Sequence, residues 1–543
     1  MTVLSFDSKQ FKFHAIALIV CLALSAIAYG NIVDSFFLSD DFNWVYQVKT
    51  RGPLGVWTTP PDVFFRPLVS LTLFFDYQIW GLNPVGYHLT NIFFHGLNGF
   101  LVYQLSRLLF RGAKLAGKFV TIFSILSAFI FIILPSHVEA VTWIAARSDV
   151  IATSFGLAAF CCYLKYKETG DRRWFLFSYL LFLLGLLSKE SVLVYPGFLF
   201  LYEIYDHINQ KKSANKIYKI FYLPLIYATA FFPYFGLRYW GLKQFIGGYG
   251  SDVHMNFDFA ILLRGLYSSI RIFIPPLNPV YAGIWPLSFS VFLAVILIFT
   301  IVCFWKGGIY NSIAKLVILL LGLFFVSLLP VINIPVSLWT TEGERLLYLP
   351  SVFLVILSVF VLGFLLSRFR LITAIVFITL SLFFSYQLYA SNQKWIAAGQ
   401  ISKQVLESID RELEGDGMFL INIPDSLNGA YIYRNSLYPA TQLFCQSQID
   451  WIDNASFHNI LSPSDAVDVT QIAENEYRVQ LRSPGTFFMN VHLPFEDRLE
   501  TQNFTISDVD YTTLQSFTIK IKERIKPNQV AYYSQGQVIS LKN

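Results

Sequence analysis

Charge is what this 543-residue chain lacks: Asp, Glu, Lys and Arg make up only 14% of it, against roughly 25% in an ordinary soluble domain. That shortage excludes a soluble enzyme. With 55% hydrophobic and 17% aromatic residues it also excludes a disordered chain, which has too little apolar surface to fold. A net charge of +5 is small for this length, and no nucleic-acid partner is expected. Cysteine is scarce as well: Cys21, Cys161, Cys162 and Cys303 lie in or beside apolar runs, and Cys445 is alone in the polar C-terminal part. An internal disulfide is therefore excluded there. There is no repeat of fixed period and no low-complexity tract. The first apolar run lacks a small-x-small cleavage site and so reads as an uncleaved first helix.

What is present is long apolar runs. His14 to Val33, Phe119 to Pro135 and Leu346 to Leu366 each supply about 17 to 25 nearly charge-free residues, enough to cross roughly 30 Å of hydrocarbon as a helix. The fold class expected is a polytopic α-helical membrane protein. Basic clusters recur after every second run: Lys9 and Lys12; Arg111, Lys114 and Lys118; Lys165, Lys167, Arg172 and Arg173; Lys211, Lys212, Lys216 and Lys219; Arg368 and Arg370. By the positive-inside rule these are cytoplasmic, which gives about eleven spans with the N-terminus inside and the C-terminus outside. Phe259 to Ile274 carries Arg264 and Arg271 seven residues apart, on one helical face. It reads as an amphipathic helix in the outer interface.

The chain thus divides into a membrane part, 1–389, with a first outer loop at about 34–86, and an extracytoplasmic C-terminal domain, 390–543. The latter has strand-like runs at Met418 to Ile423, Tyr477 to Leu481, Thr486 to Val491 and Phe517 to Ile521, separated by turn residues.

On this topology the polar residues converge on one side. Asp40, Asp41 and Arg66 fall in the first outer loop, and His88, Asn91 and His95 descend from the outer end of the second span. His137 and Glu139 open the fourth span, read as one helix from Val138 to Leu164. Lys189 with Glu190, and Glu342 and Glu344 with Arg345, form outer turns. Ionisable groups at membrane depth cost a few kcal/mol each and persist where they face a cavity or a partner. An outward-facing polar cavity is expected.

Each cluster also has a plainer reading. Ser39-Asp40-Asp41 can cap a short helix, and adjacent side chains point apart, so one Asp faces the cavity while the other caps. His88, Asn91 and His95 share a helical face, but imidazoles at i and i+7 stand about 10 Å apart along the axis, too far to share one ion. Interhelical hydrogen bonds account for them better. Arg147 and Asp149 neutralise each other or a neighbouring helix. Lys189-Glu190 and Glu344-Arg345 suit interfacial salt bridges. Arg66, Arg264 and Arg271 could anchor lipid headgroups, and a bound phosphate would call for the same residue type.

The order of the motifs is more specific than any one of them. Asp40-Asp41, then Phe65-Arg66-Pro67-Leu68, then Gly81-Leu82-Asn83-Pro84-x-Gly86-Tyr87-His88-x-x-Asn91-x-x-x-His95, then Pro135-x-His137-x-Glu139-Ala140-Val141-x-Trp143, Arg147-x-Asp149, Leu187-Ser188-Lys189-Glu190 and Glu344-Arg345-x-x-Tyr348-Leu349-Pro350-Ser351 resemble the transmembrane and tetratricopeptide-repeat O-mannosyltransferases. The resemblance covers roughly Ser5 to Tyr389. Beyond it those enzymes carry helical repeats and this chain does not, so it resembles a bacterial, inner-membrane relative.

The resemblance implies the GT-C glycosyltransferase fold, shared with protein O-mannosyltransferases and the lipid A aminoarabinose transferase. It implies a polyprenyl-phosphate sugar donor and a protein, glycan or lipid acceptor on the outer side of the bilayer. The family's acidic pair carries over to Asp40 and Asp41, although the protein O-mannosyltransferases usually show Asp-Glu there. The second-loop acid matches Glu139.

The chemistry the resemblance implies is inverting sugar transfer, with mannose among the sugars it suggests and Asp40 as the base. The departing phosphate is held by Arg66, Lys189, Arg271 or Arg345, and His88, Asn91, His95, His137, Glu190 and Glu344 line the cavity. No residue spacing marks a metal site, and a divalent-cation requirement stays open. A lipid-linked sugar flippase is disfavoured because polar groups sit on one face only and no halves repeat. A non-catalytic scaffold leaves the outer motifs without a purpose.

Overall fold

A computed structural model describes residues 8–55, 64–209, 218–245, 259–334, 336–491 and 498–541. Lys211, Lys212 and Lys216, expected on the cytoplasmic side, lie outside these. Among the described residues seven helices are long and apolar enough to cross a bilayer, or eight if a bent pair counts as one span. The expected eleven is not reached on that test. The hairpin Trp174 to Tyr205 is built of two 15-residue helices, Arg172–Leu186 and Tyr195–Asn209, each about 22 Å long. Helix Pro84–Gly112 buries the polar His88, Asn91, His95 and Asn98 along one face.

Three expectations are corrected. The fourth run is not one helix. Val138–Thr142 is a short helix, the chain breaks at Trp143 (ψ 119°), and Arg147–Thr169 follows a 3-10 turn. The preceding helix Gly117–Ile132 meets Pro135–Thr142 at a 53° bend. Pro135 explains the first break, because proline favours a helix start and disfavours helical backbone in the residue before it.

The helix expected to lie in the interface is shorter, Phe259–Ser268. Arg271 falls in the 3-10 turn that follows, buried, while Arg264 is exposed, so the two do not share a face. Finally, the last membrane helix runs from Arg370 to Glu412. The composition change at Tyr389 falls inside it.

Beyond Glu412 the chain forms two sheets. The first has the order Gln537–Ser540, Val530–Ser534, Gly417–Leu427, Trp451–Ile460, Phe488–Met489, with Ala430–Tyr431 also pairing on Gly417–Leu427. Its central strand lies parallel to both neighbours and is buried along its whole length, as parallel strands covered on both faces are. The second sheet, Val467–Ala473, Glu476–Leu481, Ser516–Ile521, Phe504–Ser507 and Leu499–Glu500, is antiparallel. Phe419, Ile421, Val479, Phe517 and Ile519 form the core between the sheets. Of the expected strands, Thr486 to Val491 is reduced to Phe488–Met489.

The strand-bearing part is docked on the helices. Gly429, at φ 91°, approaches Thr340 so closely that a Cβ there would lie 2.8 Å from the Thr340 Cβ. The Ser39 N–H donates to the Ile432 carbonyl at 2.8 Å, and the Tyr433 hydroxyl donates to the Ser402 carbonyl at 2.6 Å. Phe42 stacks on Tyr433 with centroids 5.8 Å apart. These contacts bring residues 430–436 over the start of helix Asp40–Gly55.

Candidate active site

A chamber of about 490 Å³ lies where the segment after the first helix, the break at Trp143, the turns at Lys189 and Arg345 and the segment 431–436 meet. Asp40 is the one carboxylate on its wall among the described residues, and Arg66, Lys189, Arg345 and Arg434 are its cations. The charge pattern follows from how each group is held from behind.

Asp40 and Asp41 diverge because both lie in the helix, where adjacent side chains point about 100° apart. Ser39 before them adopts φ 46°, a left-handed conformation that costs about 1–2 kcal/mol for an L-residue and persists where contacts enforce it. Asp40 opens the helix with its side chain toward the chamber, and its Oδ1 accepts from Asn435 Nδ2 at 3.0 Å. Asp41 turns inward. Its Oδ1 accepts from the Ala145 N–H at 2.7 Å and its Oδ2 from the Leu38 N–H at 3.0 Å, so it ties the first loop to the break after Trp143. Burial pushes its carboxyl up to about 8, against the pull of those two donors.

The cations are fixed by carboxylates from other elements. Arg345 pairs with the fully buried Glu139, which also accepts from the Arg345 N–H at 2.8 Å. Its guanidinium lies over Trp143 at 4.9 Å. Lys189 pairs with Asp149 at 2.6 Å. Arg66 reaches Glu190 at 3.3 Å and Ser148 at 3.4 Å. Arg238 holds the other Glu190 oxygen at 3.1 Å. Burial alone would raise Glu190, but Arg66, Arg238 and Lys189 together hold it below its ordinary range.

Arg434 pairs with Asp425 at 2.7 Å and Glu342 at 2.5 Å and lies over Tyr431 at 4.4 Å. Desolvation works against its charge, yet the hydrogen bonds to Asp425 and Glu342 prevail and raise its pKa. The register of strand Gly417–Leu427 shifts between Pro424 and Ser426, at Asp425 itself.

The adjacent charges Lys189-Glu190 and Glu344-Arg345 thus each take partners elsewhere, not each other. Arg147 likewise pairs with Asp76 at 2.6 Å and not with Asp149.

Several expected site residues lie off the wall. Arg271 is buried against Glu344 and the Ser337 and Thr340 carbonyls, so neither Arg271 nor Glu344 reaches the chamber. His88 donates to the Ser35 carbonyl at 3.0 Å, and Asn91 donates to the Val141 and Trp143 carbonyls. His95 bridges the Ile132 carbonyl and the Tyr348 hydroxyl, and His137 bonds Ser351 Oγ at 2.8 Å. All four are buried and tie their helices to neighbouring segments, His88 to the loop at Ser35 and Asn91 to the break at Trp143. Among the described residues no three His, Cys, Asp or Glu side chains gather as a metal-ligand set.

The residues sequence reasoning did not find are Tyr431, Arg434 and Asn435, with Arg238 and Asp76 behind the wall. Arg434 and Asn435 stand nearly 400 residues from Asp40, and no local pattern joins them.

No family model matches the chain. It is similar to the protein O-mannosyl-transferase TMTC4 of Mus musculus, 28% identical over 202 residues that cover 32% of this chain and 27% of that protein. It is also similar to the protein O-mannosyl-transferase F38B6.6 of Caenorhabditis elegans, 22% identical over 365 residues, 62% of this chain and 49% of that protein. The chain therefore spans less than half the length of these relatives. Among solved structures, ArnT from Cupriavidus metallidurans in the apo state aligns with 80% of this chain and 85% of its own at 12% identity, with a TM-score of 0.45.

Proposed function

We propose that this chain is a multi-pass membrane glycosyltransferase of the GT-C type that moves a sugar from a polyprenyl phosphate to an acceptor hydroxyl outside the cytoplasm. The observation that carries the reading is the chamber wall: among the described residues one carboxylate, Asp40, faces a space whose other charged lining groups are Arg66, Lys189, Arg345 and Arg434. The relatives named as protein O-mannosyl-transferases support a sugar, mannose among the choices, and a protein Ser or Thr acceptor. Orientation follows the charge bookkeeping, with the basic clusters inside and the chamber outside.

A polyprenyl-phosphate sugar keeps its tail in lipid and its C1 at the bilayer surface. The acceptor hydroxyl is a weak nucleophile at neutral pH, and a carboxylate within about 3 Å can take its proton as it attacks. Asp40 takes that proton. The new bond forms between the acceptor oxygen and C1, and the bond from C1 to the phosphate oxygen breaks. The electron pair leaves with the polyprenyl phosphate, and direct attack inverts C1. Charge then grows on the leaving oxygen, where cations already fixed by Glu139, Asp149, Glu190 and Glu342 stabilise it without reorganising. Asn435 sets the carboxylate's direction, and Asp41 holds the loop that carries it.

The test is transfer in membranes from a strain lacking the chain, supplied with labelled polyprenyl-phosphate sugar. Adding the chain back restores a labelled extracytoplasmic product. Label that stays on the polyprenyl phosphate with every sugar tried overturns the reading.

A further inference from the structure

A second cavity, of about 530 Å³, opens in the strand-bearing part. It lies at the start of strand Gly417–Leu427, whereas Asp425, which holds Arg434, is near that strand's other end. At roughly 3.3 Å per residue the two are about 26 Å apart, so this cleft cannot reach the reacting atoms of the chamber.

Its floor is Trp451. The pairing of the two strands sets Trp451 opposite Gly417, and a Cβ at Gly417 would come within 2.2, 2.3 and 2.5 Å of the indole Nε1, Cε2 and Cδ1. Three ring atoms at nearly equal distance mean that the indole lies flat on the glycine. Any side chain at Gly417 would displace it. Trp451 is only partly buried and lines the cleft.

Planar polar groups surround it, already held in place. Asn503 Nδ2 donates to Asp453 Oδ2 at 2.5 Å, and Gln529 Nε2 donates to Asp416 Oδ1 at 3.1 Å. Gln529 is buried, and its Oε1 accepts from the Lys526 N–H at 3.3 Å. Arg524 stands exposed at the rim.

A flat aromatic surface ringed by fixed carboxylates, amides and a guanidinium fits one ligand chemistry well. A pyranose presents an apolar C–H face to lie on the indole, and hydroxyls that both donate and accept at its edges. An apolar ligand would desolvate these polar groups without meeting their remaining hydrogen-bonding capacity. Two carboxylates, Asp416 and Asp453, against two cations, Arg524 and Lys526, leave the lining balanced in charge, which suits an uncharged ligand. We propose that this cleft is a saccharide-binding subsite, taking an uncharged hexose or hexosamine unit of an oligosaccharide at a distance from the chamber. It does not depend on the transferase reading.

The test uses the full chain in nanodiscs on an array of neutral hexose and hexosamine oligosaccharides, with quenching of tryptophan fluorescence as the solution readout. Binding to at least one of them is expected. Trp451→Ala weakens it by about tenfold, Trp451→Phe restores part of it, and Arg524→Ala, at an exposed position, weakens it without disturbing the fold. Asp40→Asn leaves it unchanged, which separates this site from the chamber. No binding across the array, or binding that survives both Trp451→Ala and Arg524→Ala, overturns the proposal.

Discussion

Asn435 Nδ2 donates to Asp40 Oδ1 at 3.0 Å, joining the strand-bearing part to the start of helix Asp40–Gly55 across 395 positions of sequence. Both partners follow or precede a residue in left-handed backbone, Ser39 at φ 46° and Ser436 at φ 75°. Strain on the two sides of one hydrogen bond, at the wall of a chamber, marks a geometry that the surrounding contacts enforce. The C-terminal part thereby completes the site as well as covering it.

Removing that donor leaves Asp40 in place but free to turn. Asn435→Ala is expected to lower kcat by about 10- to 100-fold, the scale of a misplaced catalytic group, with KM for the donor nearly unchanged. Steady-state transfer in proteoliposomes checks this. A rise in KM at constant kcat would instead make Asn435 a binding group.

Arg345 and Glu139 form a pair whose acid is fully buried. Arg345→Ala strands that carboxylate, which for buried pairs costs about 3–5 kcal/mol, so thermal unfolding of the purified chain should move down by several degrees. Adding Glu139→Gln should recover much of the stability and none of the activity. Equal unfolding temperatures for Arg345→Ala and wild type would show that the pair holds little of the fold.

Gly429 sits at φ 91° against Thr340 and Thr341. Gly429→Val adds left-handed strain of about 1–2 kcal/mol and pushes the turn off the membrane part. Transfer should fall sharply while the sheets stay folded, and faster proteolysis between residues 412 and 436 should report the undocking. Wild-type activity in this variant would mean that docking there is dispensable.

How much of this was legible in the chain depends on range. The apolar runs and basic clusters declare membrane helices because crossing a bilayer is a local requirement on some twenty residues. Asp40, Arg66, Lys189 and Arg345 were legible for the same reason, as charges at the ends of such runs. Which cations reach the wall was not: Arg271 is drawn away by Glu344, and Arg434 arrives from a distant strand. The helix beyond Tyr389 was missed because its polarity rises there, although its buried stripe still alternates Trp395, Ile401, Val405, Leu406 and Ile409 with small and polar residues such as Ser391, Asn392, Ala398, Gly399 and Ser402. These permit close approach, as at Gly399, where a Cβ would lie 2.8 Å from Ser35 Oγ. The break at Trp143 depends on the Asp41 carboxylate accepting from Ala145, a contact no local pattern encodes.

The strand-bearing part should be acid-sensitive through His458. Burial holds this imidazole down at about 4 from an ordinary 6.5, and its Nε2 is buried without a partner. A base with a lowered folded pKa contributes stability in full above 6.5, and that stability is lost as pH falls toward 4. The loss amounts to about 3 kcal/mol. Thermal unfolding of the purified chain between pH 7 and 4, followed by loss of far-UV β-sheet signal, checks the sign, and His458→Gln should flatten the profile. A stability that rises toward pH 4 would contradict it.

The central claim is that Asp40 removes the acceptor's proton while the cations hold the phosphate. The most direct measurement compares wild type and Asp40→Asn in proteoliposomes, reading binding of polyprenyl phosphate and release of sugar from it in the same samples. The account predicts unchanged binding and turnover reduced by about 10²–10⁴-fold, the usual contribution of a general base. Turnover in Asp40→Asn within a few fold of wild type would contradict it.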